Sequence, residues 1–151
     1  MVSVHEHGVA LLGRSERDPE VIEFLAQLGA KAPVARPKRG EKQTNIELPD
    51  FDIELVFTLA EMLPGGERFA KGELIFNAFF ISDDHIATGV ELPWGISRDL
   101  TRSSASERFG PPEWTSPLLD NDRWQFGAVK VLLSFSSDGQ IVESMGVSCV
   151  L

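Results

Sequence analysis

The sequence predicts an α+β domain in which one antiparallel sheet carries its helices on one face, built from two helix-then-β-meander repeats. Three observations point there. Apolar residues at helical spacing give way to segments with two-residue alternation, Gly and Pro pairs separate the segments, and the order of helix followed by strands occurs twice. A chain of 151 residues suits one domain whose core needs neither disulfide nor metal.

Asp18-Pro19-Glu20 opens the first predicted helix: Asp caps free backbone N–H groups and proline is tolerated at the first helical position. Val21, Ile22, Leu25 and Leu28 follow at helical spacing, and Gly29 supplies the stop. From Ala30 to Thr44 the composition turns to Pro, Gly, Lys and Arg, the mark of a mobile basic loop within the domain (residues 30–44). Ile53, Leu55, Phe57 and Leu59 alternate with Asp52, Glu54, Val56 and Thr58, as in a half-buried strand with Asp52 and Glu54 on its outer face. Leu63-Pro64-Gly65-Gly66-Glu67 reads as a turn. Glu73 to Ser82 is apolar on both faces and reads as a central strand covered on both sides, ended by Asp83-Asp84.

The second half begins at Leu92-Pro93-Trp94-Gly95. Thr101 is placed as an N-cap, Phe109 closes a short helix, and Gly110-Pro111-Pro112 ends it. Three antiparallel strands are expected over Arg123–Phe126, Val129–Phe135 and Ile141–Val150. Ser137-Asp138-Gly139-Gln140 forms the hairpin turn between the last two, because Asp-Gly accepts the positive φ of tight hairpins. The stretches Gly13 to Gly29 and Gly95 to Gly110 both run from a glycine through a helix to an apolar-Gly pair, which suggests repeat units at 9–84 and 89–151.

Thr101-Arg102-Ser103-Ser104-Ala105-Ser106-Glu107-Arg108-Phe109-Gly110-Pro111-Pro112 is similar to the "Thr-Arg, small or apolar, then apolar-Gly-x-Pro" signature of β-lactamase-inhibitor-protein-like domains and small outer-membrane assembly lipoproteins. Together with Asp122-Arg123-Trp124, Val129-Lys130-Val131 and Phe135 to Ile141, the span from Gly89 to Val150 resembles that helix-loop-sheet unit. It also looks like bacterial toxin immunity proteins that carry the unit twice. The resemblance implies a fold whose members bind other proteins. The chain departs from both named branches: it shows no lipid-attachment cysteine, no paired cysteines and no export signal. With these departures, the resemblance implies a cytoplasmic inhibitor of a cognate toxin.

Charge and cysteine usage set further bounds. Hydrophobic residues are 42% and charged residues 25% of the chain, as in soluble globular domains. The longest apolar runs are strand-length, far from the roughly 20 residues that cross a bilayer. His5, Glu6 and His7 stand where the apolar run of an export signal would lie, so the expected location is cytoplasmic. Formal net charge is -9. Five cations against Glu41 between Lys31 and Lys42 make that segment +4, which leaves -13 elsewhere. No nucleic-acid partner and no membrane are expected from this balance. Acidity serves solubility, and it also favours encounter with a basic partner.

No catalytic constellation emerges, and the chain reads as a non-enzyme without cofactor or metal. His5 and His7 lack further ligands nearby, and His85 beside Asp83 and Asp84 reads as a solvated strand end. Cys149 has apolar neighbours and no base, so it reads as a buried, inert thiol. Ser103, Ser104 and Ser106 lack the glycine frame of a hydrolase nucleophile, and Gly65-Gly66 lacks the Gly-Lys-Ser/Thr ending of a phosphate loop. Asp50, Asp52 and Glu54 read as an acidic face. For binding, Trp114 lies in a loop, where aromatics act as hot spots, whereas Trp124 is expected to fill the core and Trp94, near a helix start, is open to either role. The expected partner surface comprises Asp52, Glu54, Asp83, Asp84, Trp114, Asp120 and Asp122, facing a basic toxin. Three rival expectations are a small-ligand pocket between sheet and helices lined by Phe76, Phe80 and Phe135, an enzyme using the Asp83, Asp84 and His85 cluster, and a homodimer through the acidic sheet.

Overall fold

A computed structural model describes residues 4–31, 33–81 and 92–150. The order is α1 (Val4–Leu11), α2 (Pro19–Gln27), β1 (Gln43–Leu48), β2 (Ile53–Leu59), β3 (Leu74–Ile81), α3 (Arg102–Phe109), β4 (Trp114–Thr115), β5 (Asn121–Phe126), β6 (Val129–Phe135) and β7 (Val142–Cys149). The seven strands form one antiparallel sheet in the order β1-β2-β3-β7-β6-β5-β4. Among the described residues no helix is long and apolar enough to cross a membrane.

Strand register shows which face holds the core. Ile46, Leu55, Phe79, Val147, Val131 and Trp124 stand opposite one another in turn across β1, β2, β3, β7, β6 and β5, and directly opposed residues share a face. The helices meet that inner face. Gly8 of α1 lies so close to Phe79 that a Cβ would be 3.2 Å from the ring. Phe24 of α2 packs 6.0 Å from Phe76, which stacks on Phe57 and Phe79 at 5.4 and 6.2 Å. Phe109 at the end of α3 sets its edge against Trp124 at 5.7 Å. A bulge keeps the β3 rings together: Phe57 faces Phe76 and Val56 faces Ala78, so Asn77 is the extra residue. Without it, strict alternation would send Phe76 and Phe79 to opposite faces.

The expected caps are present. The Asp18 carboxylate accepts from the Glu20 N–H at 2.9 Å, and the Thr101 hydroxyl accepts from the Ser104 N–H at 3.1 Å. Gly110 ends α3 at φ 84, and Gly139 takes φ 72 in the β6–β7 turn. Buried carboxylates also tie the α1–α2 connection to the start of β3. Glu16 accepts from the Leu74 N–H at 2.7 Å and pairs with Arg36. Buried Glu73 accepts from the Ser15 hydroxyl at 2.7 Å and the Ala70 N–H at 3.1 Å.

Several local expectations are corrected. The N-terminal segment around His5 and His7 forms α1; His5 is buried and His7 sets its edge on Phe24 at 5.0 Å. The basic segment is anchored at Val34, which joins the core, and at Arg36; its last two residues begin β1. Asp52 precedes β2 in a left-handed turn at φ 50 instead of alternating within the strand. β3 is not covered along its whole length, because Phe80 is 44% exposed on the outer face. Phe76, Phe80 and Phe135 do not line one cavity: Phe76 and Phe135 are packed in the core, while Phe80 lies on the other side of the sheet. Asp83, Asp84 and His85 lie outside the described residues.

Candidate protein-binding site

The outer face carries a second row, offset by one residue from the core row. Glu47, Glu54, Phe80, Gly146, Leu132, Arg123 and Trp114 oppose one another in turn across all seven strands. The residues along this row explain its shape. Gly146 has no side chain because the Phe80 ring lies over it; a Cβ there would come within 2.8 Å of the ring. Phe80 therefore lies along the sheet, 44% exposed, next to half-buried Leu132. At the far end Trp114 is 41% exposed, with the Arg123 guanidinium 5.1 Å above its ring. Arg123 is held there by Glu113 at 2.9 Å, and Lys130 joins the same carboxylate at 3.2 Å. The β4–β5 connection beside Trp114 exposes Leu118 at 90% and Leu119 at 65%.

The other end of the row is acidic. Glu47 and Glu54 oppose each other directly, an arrangement that costs stability when no cation intervenes. Asp52 shares a shallow groove of about 460 Å³ with Glu54, Phe80 and Ser144. None of these three carboxylates forms an ion pair among the described residues. The face thus runs from uncompensated carboxylates, over exposed Phe80, to a fixed guanidinium that lies against the exposed Trp114 ring.

Asp122 belongs elsewhere. Its partner across β6 is Leu133, a core residue, so it points inward beneath α3 and is 2% exposed. Arg102 donates to both its oxygens, Nε to Oδ2 at 2.8 Å and Nη2 to Oδ1 at 2.7 Å, and Thr115 donates at 2.9 Å. Arg102 also reaches Asp120 at 3.2 Å. The hydrogen bonds from Arg102 hold the Asp122 carboxyl below the usual carboxylate range despite its burial, and in return Asp122 raises Arg102. Asp122 therefore fixes α3 to the sheet and is not offered to a partner. Asp120 remains half exposed at the rim of this network. An open cleft of about 1020 Å³ lies over it, floored by Arg102 and Asp122 and walled by α3 and the Ser137–Gln140 turn.

Of the predicted surface, Glu54 and Trp114 fall in the outer row with Asp52 at its margin, whereas Asp120, on the β4–β5 connection, lies at the rim of the Arg102 network. Phe80, Leu132 and Arg123 are the additions. Arg123 was legible as the polar neighbour of core Trp124. Phe80 was not, because an octapeptide apolar at nearly every position hides both the bulge and the outer face. Cys149 is half-buried with its thiol 3.4 Å from the Asn77 amide oxygen, and burial pushes the thiol up.

No protein-family model matches this chain, and no curated protein matches its sequence. Among solved structures it is similar to a DUF4309 family protein (YjgB) from Bacillus subtilis, with a TM-score of 0.42 and 10% identity over 84% of this chain and 76% of that one. A likeness this distant carries no functional argument.

Proposed function

We propose that this protein is a protein-binding inhibitor, an immunity protein that neutralises a cognate bacterial toxin by stoichiometric binding through the outer face of its sheet. The observation that carries the proposal is the seven-residue outer row from Glu47 to Trp114. Exposed aromatics on a rigid sheet lose little conformational freedom on binding, and such residues dominate interface energetics. The uncompensated carboxylates at one end suit a basic toxin surface, where complementary charge speeds association. The topology supports a duplicated origin: a three-stranded meander and a four-stranded meander, each preceded by helix, meet where β3 pairs with β7.

The test is a tagged pull-down from the native cell with stoichiometry by native mass spectrometry, followed by toxicity of the captured protein with and without this chain. A one-to-one complex with a basic protein is expected. Phe80→Asp combined with Glu54→Lys should weaken it by at least about 1.4 kcal/mol, tenfold in affinity. A complex that survives this double substitution at full strength would place binding elsewhere. Recovery with a bound metabolite and no protein would move the assignment to the cleft over Arg102, which is of ligand size.

A further inference from the structure

The two edges of the sheet are built differently. At one edge β4 has only two residues, between Pro112 and Pro117, and prolines near a short strand blunt pairing with another chain. At the other edge β1 runs for six residues, Gln43–Leu48, in unbroken register with β2. It contains no proline, no bulge and no lysine. Among the described residues no strand pairs with its other side. Natural sheets protect such edges, and an unprotected one is a template for a further strand.

The charges flanking β1 indicate which strand. Lys38, Arg39 and Lys42 precede it, with Glu41 the one acid among them; at its far end Glu47 lies within the strand and Asp50, Asp52 and Glu54 follow. Lys38, Arg39 and Lys42 form no ion pair among the described residues, and neither do the four acids. Each of the three cations is exposed. A strand with a basic entry and an acidic exit is its own complement when reversed. Two copies paired antiparallel about a two-fold axis place the basic entry of each beside the acidic exit of the other, twice over. This is the self-matching patch that a closed two-fold dimer requires. A groove of about 650 Å³, bounded by the basic loop and the first half of β1, lies where the partner's exit would run.

We infer that β1 is a dimerisation edge, through which a second copy of this chain adds antiparallel to make one continuous sheet. This surface adjoins the outer face at Glu47 and differs from the acidic-face homodimer expected from sequence. The opposed Glu47 and Glu54 gain counter-charges in the dimer, which explains why they are tolerated.

Sedimentation velocity over a range of protein concentration and salt tests the inference. A dimer is expected that weakens as salt rises, since screening shortens the reach of surface charges to about 8 Å at physiological ionic strength. Two charge-reversed chains separate dimerisation from folding. Lys38→Glu/Arg39→Glu/Lys42→Glu should be monomeric alone, as should Glu47→Lys/Asp50→Lys. Mixed one to one, they should form a heterodimer, a rescue that only correctly folded chains with complementary edges can give. Amide exchange over residues 43–48 should slow on association. A wild-type chain that stays monomeric at every concentration would overturn the inference. So would a dimer that persists in both reversed variants, or reversed variants that fail to combine.

Discussion

Arg102→Ala should destabilise the protein more than Asp122→Ala does, although both remove the same pair. Removing one partner of a buried ion pair costs about 3–5 kcal/mol when the other charge is left uncompensated in the interior. After Arg102→Ala the stranded group is Asp122, whose side chain is 3% exposed and retains only the Thr115 hydroxyl as a side-chain donor. Arg102 also lies 5.9 Å from the Phe135 ring, so its stem and cation contribute packing. The full range therefore applies, about 3–5 kcal/mol, which lowers Tm by roughly 6–20 °C in a domain of this size. After Asp122→Ala the stranded group is Arg102, whose side chain is 31% exposed and still reaches Asp120 at 3.2 Å. Water and the second aspartate offset part of the loss, leaving about 1.5–2.5 kcal/mol. Urea denaturation of both variants at pH 7 reads the difference. The acid limb supplies an independent check. Asp122 binds its proton less readily folded than unfolded. Its contribution is thus complete above the unfolded value of about 3.9 and is lost as pH falls through the lower folded value. Asp122→Asn should flatten the stability loss below about pH 4 relative to wild type. Costs below about 1 kcal/mol for both alanine variants, the level of an exposed pair, would refute the account of this network as a buried anchor.

Three further outcomes follow from close contacts. The Trp124 indole N–H donates to the Gly110 carbonyl at 2.9 Å with the ring 2% exposed, so Trp124→Phe should cost about 1–3 kcal/mol, and thermal unfolding checks it. A Cβ at Gly66 would sit 1.9 Å from the Ala60 carbonyl oxygen, a backbone atom that cannot swing aside. Gly66→Ala should therefore lower stability by more than about 2 kcal/mol, and a cost below 1 by denaturant titration would show the turn to be adaptable. Since burial raises the Cys149 thiol, alkylation by a maleimide at pH 7 should be slow in the folded protein and fast in urea, and equal rates would contradict the burial.

The parts of the fold that depend on local chemistry were legible in the sequence. The Asp18-Pro19 start and Gly29 stop of α2, the Thr101 cap of α3 and the Asp138-Gly139 turn each satisfy backbone groups within a few residues. Strand β6 was readable to the residue from its alternation. What escaped depends on distant partners. Helix α1 contains Gly8, a poor helix former, and is held by contact with Phe79 some seventy residues away. Strand β1 carries only Ile46 and Leu48 as apolar residues, a weak signal until β2 is placed beside it. The same limit governed the site. Asp122 and Asp120 look equivalent as acids in one loop, yet strand parity sends Asp122 under α3 and leaves Asp120 at the rim. Parity also places Glu54 and Phe80 side by side, which an acidic tally could not foresee.

Glu47 is the residue at which the outer face and the free edge meet, and the two proposals make competing demands on it. It opens the outer row beside Glu54 and also lies on β1, the strand with the free edge. A basic group of a toxin seated over Glu54 and Phe80 lies within reach of Glu47, as does the basic entry of a second copy added to β1. One carboxylate holds one rotamer at a time, so Glu47 can meet only one of the two cations at full strength. Association at the edge and toxin binding on the face are therefore coupled with negative sign, and reciprocally so. Glu47→Gln removes the shared group. It should weaken each interaction modestly while abolishing their antagonism, so that affinity for the proposed partner no longer depends on the concentration of this chain itself. Affinity measured by calorimetry across a dilution series distinguishes the cases. An antagonism that survives Glu47→Gln would mean that the two surfaces communicate by steric overlap and not through this charge.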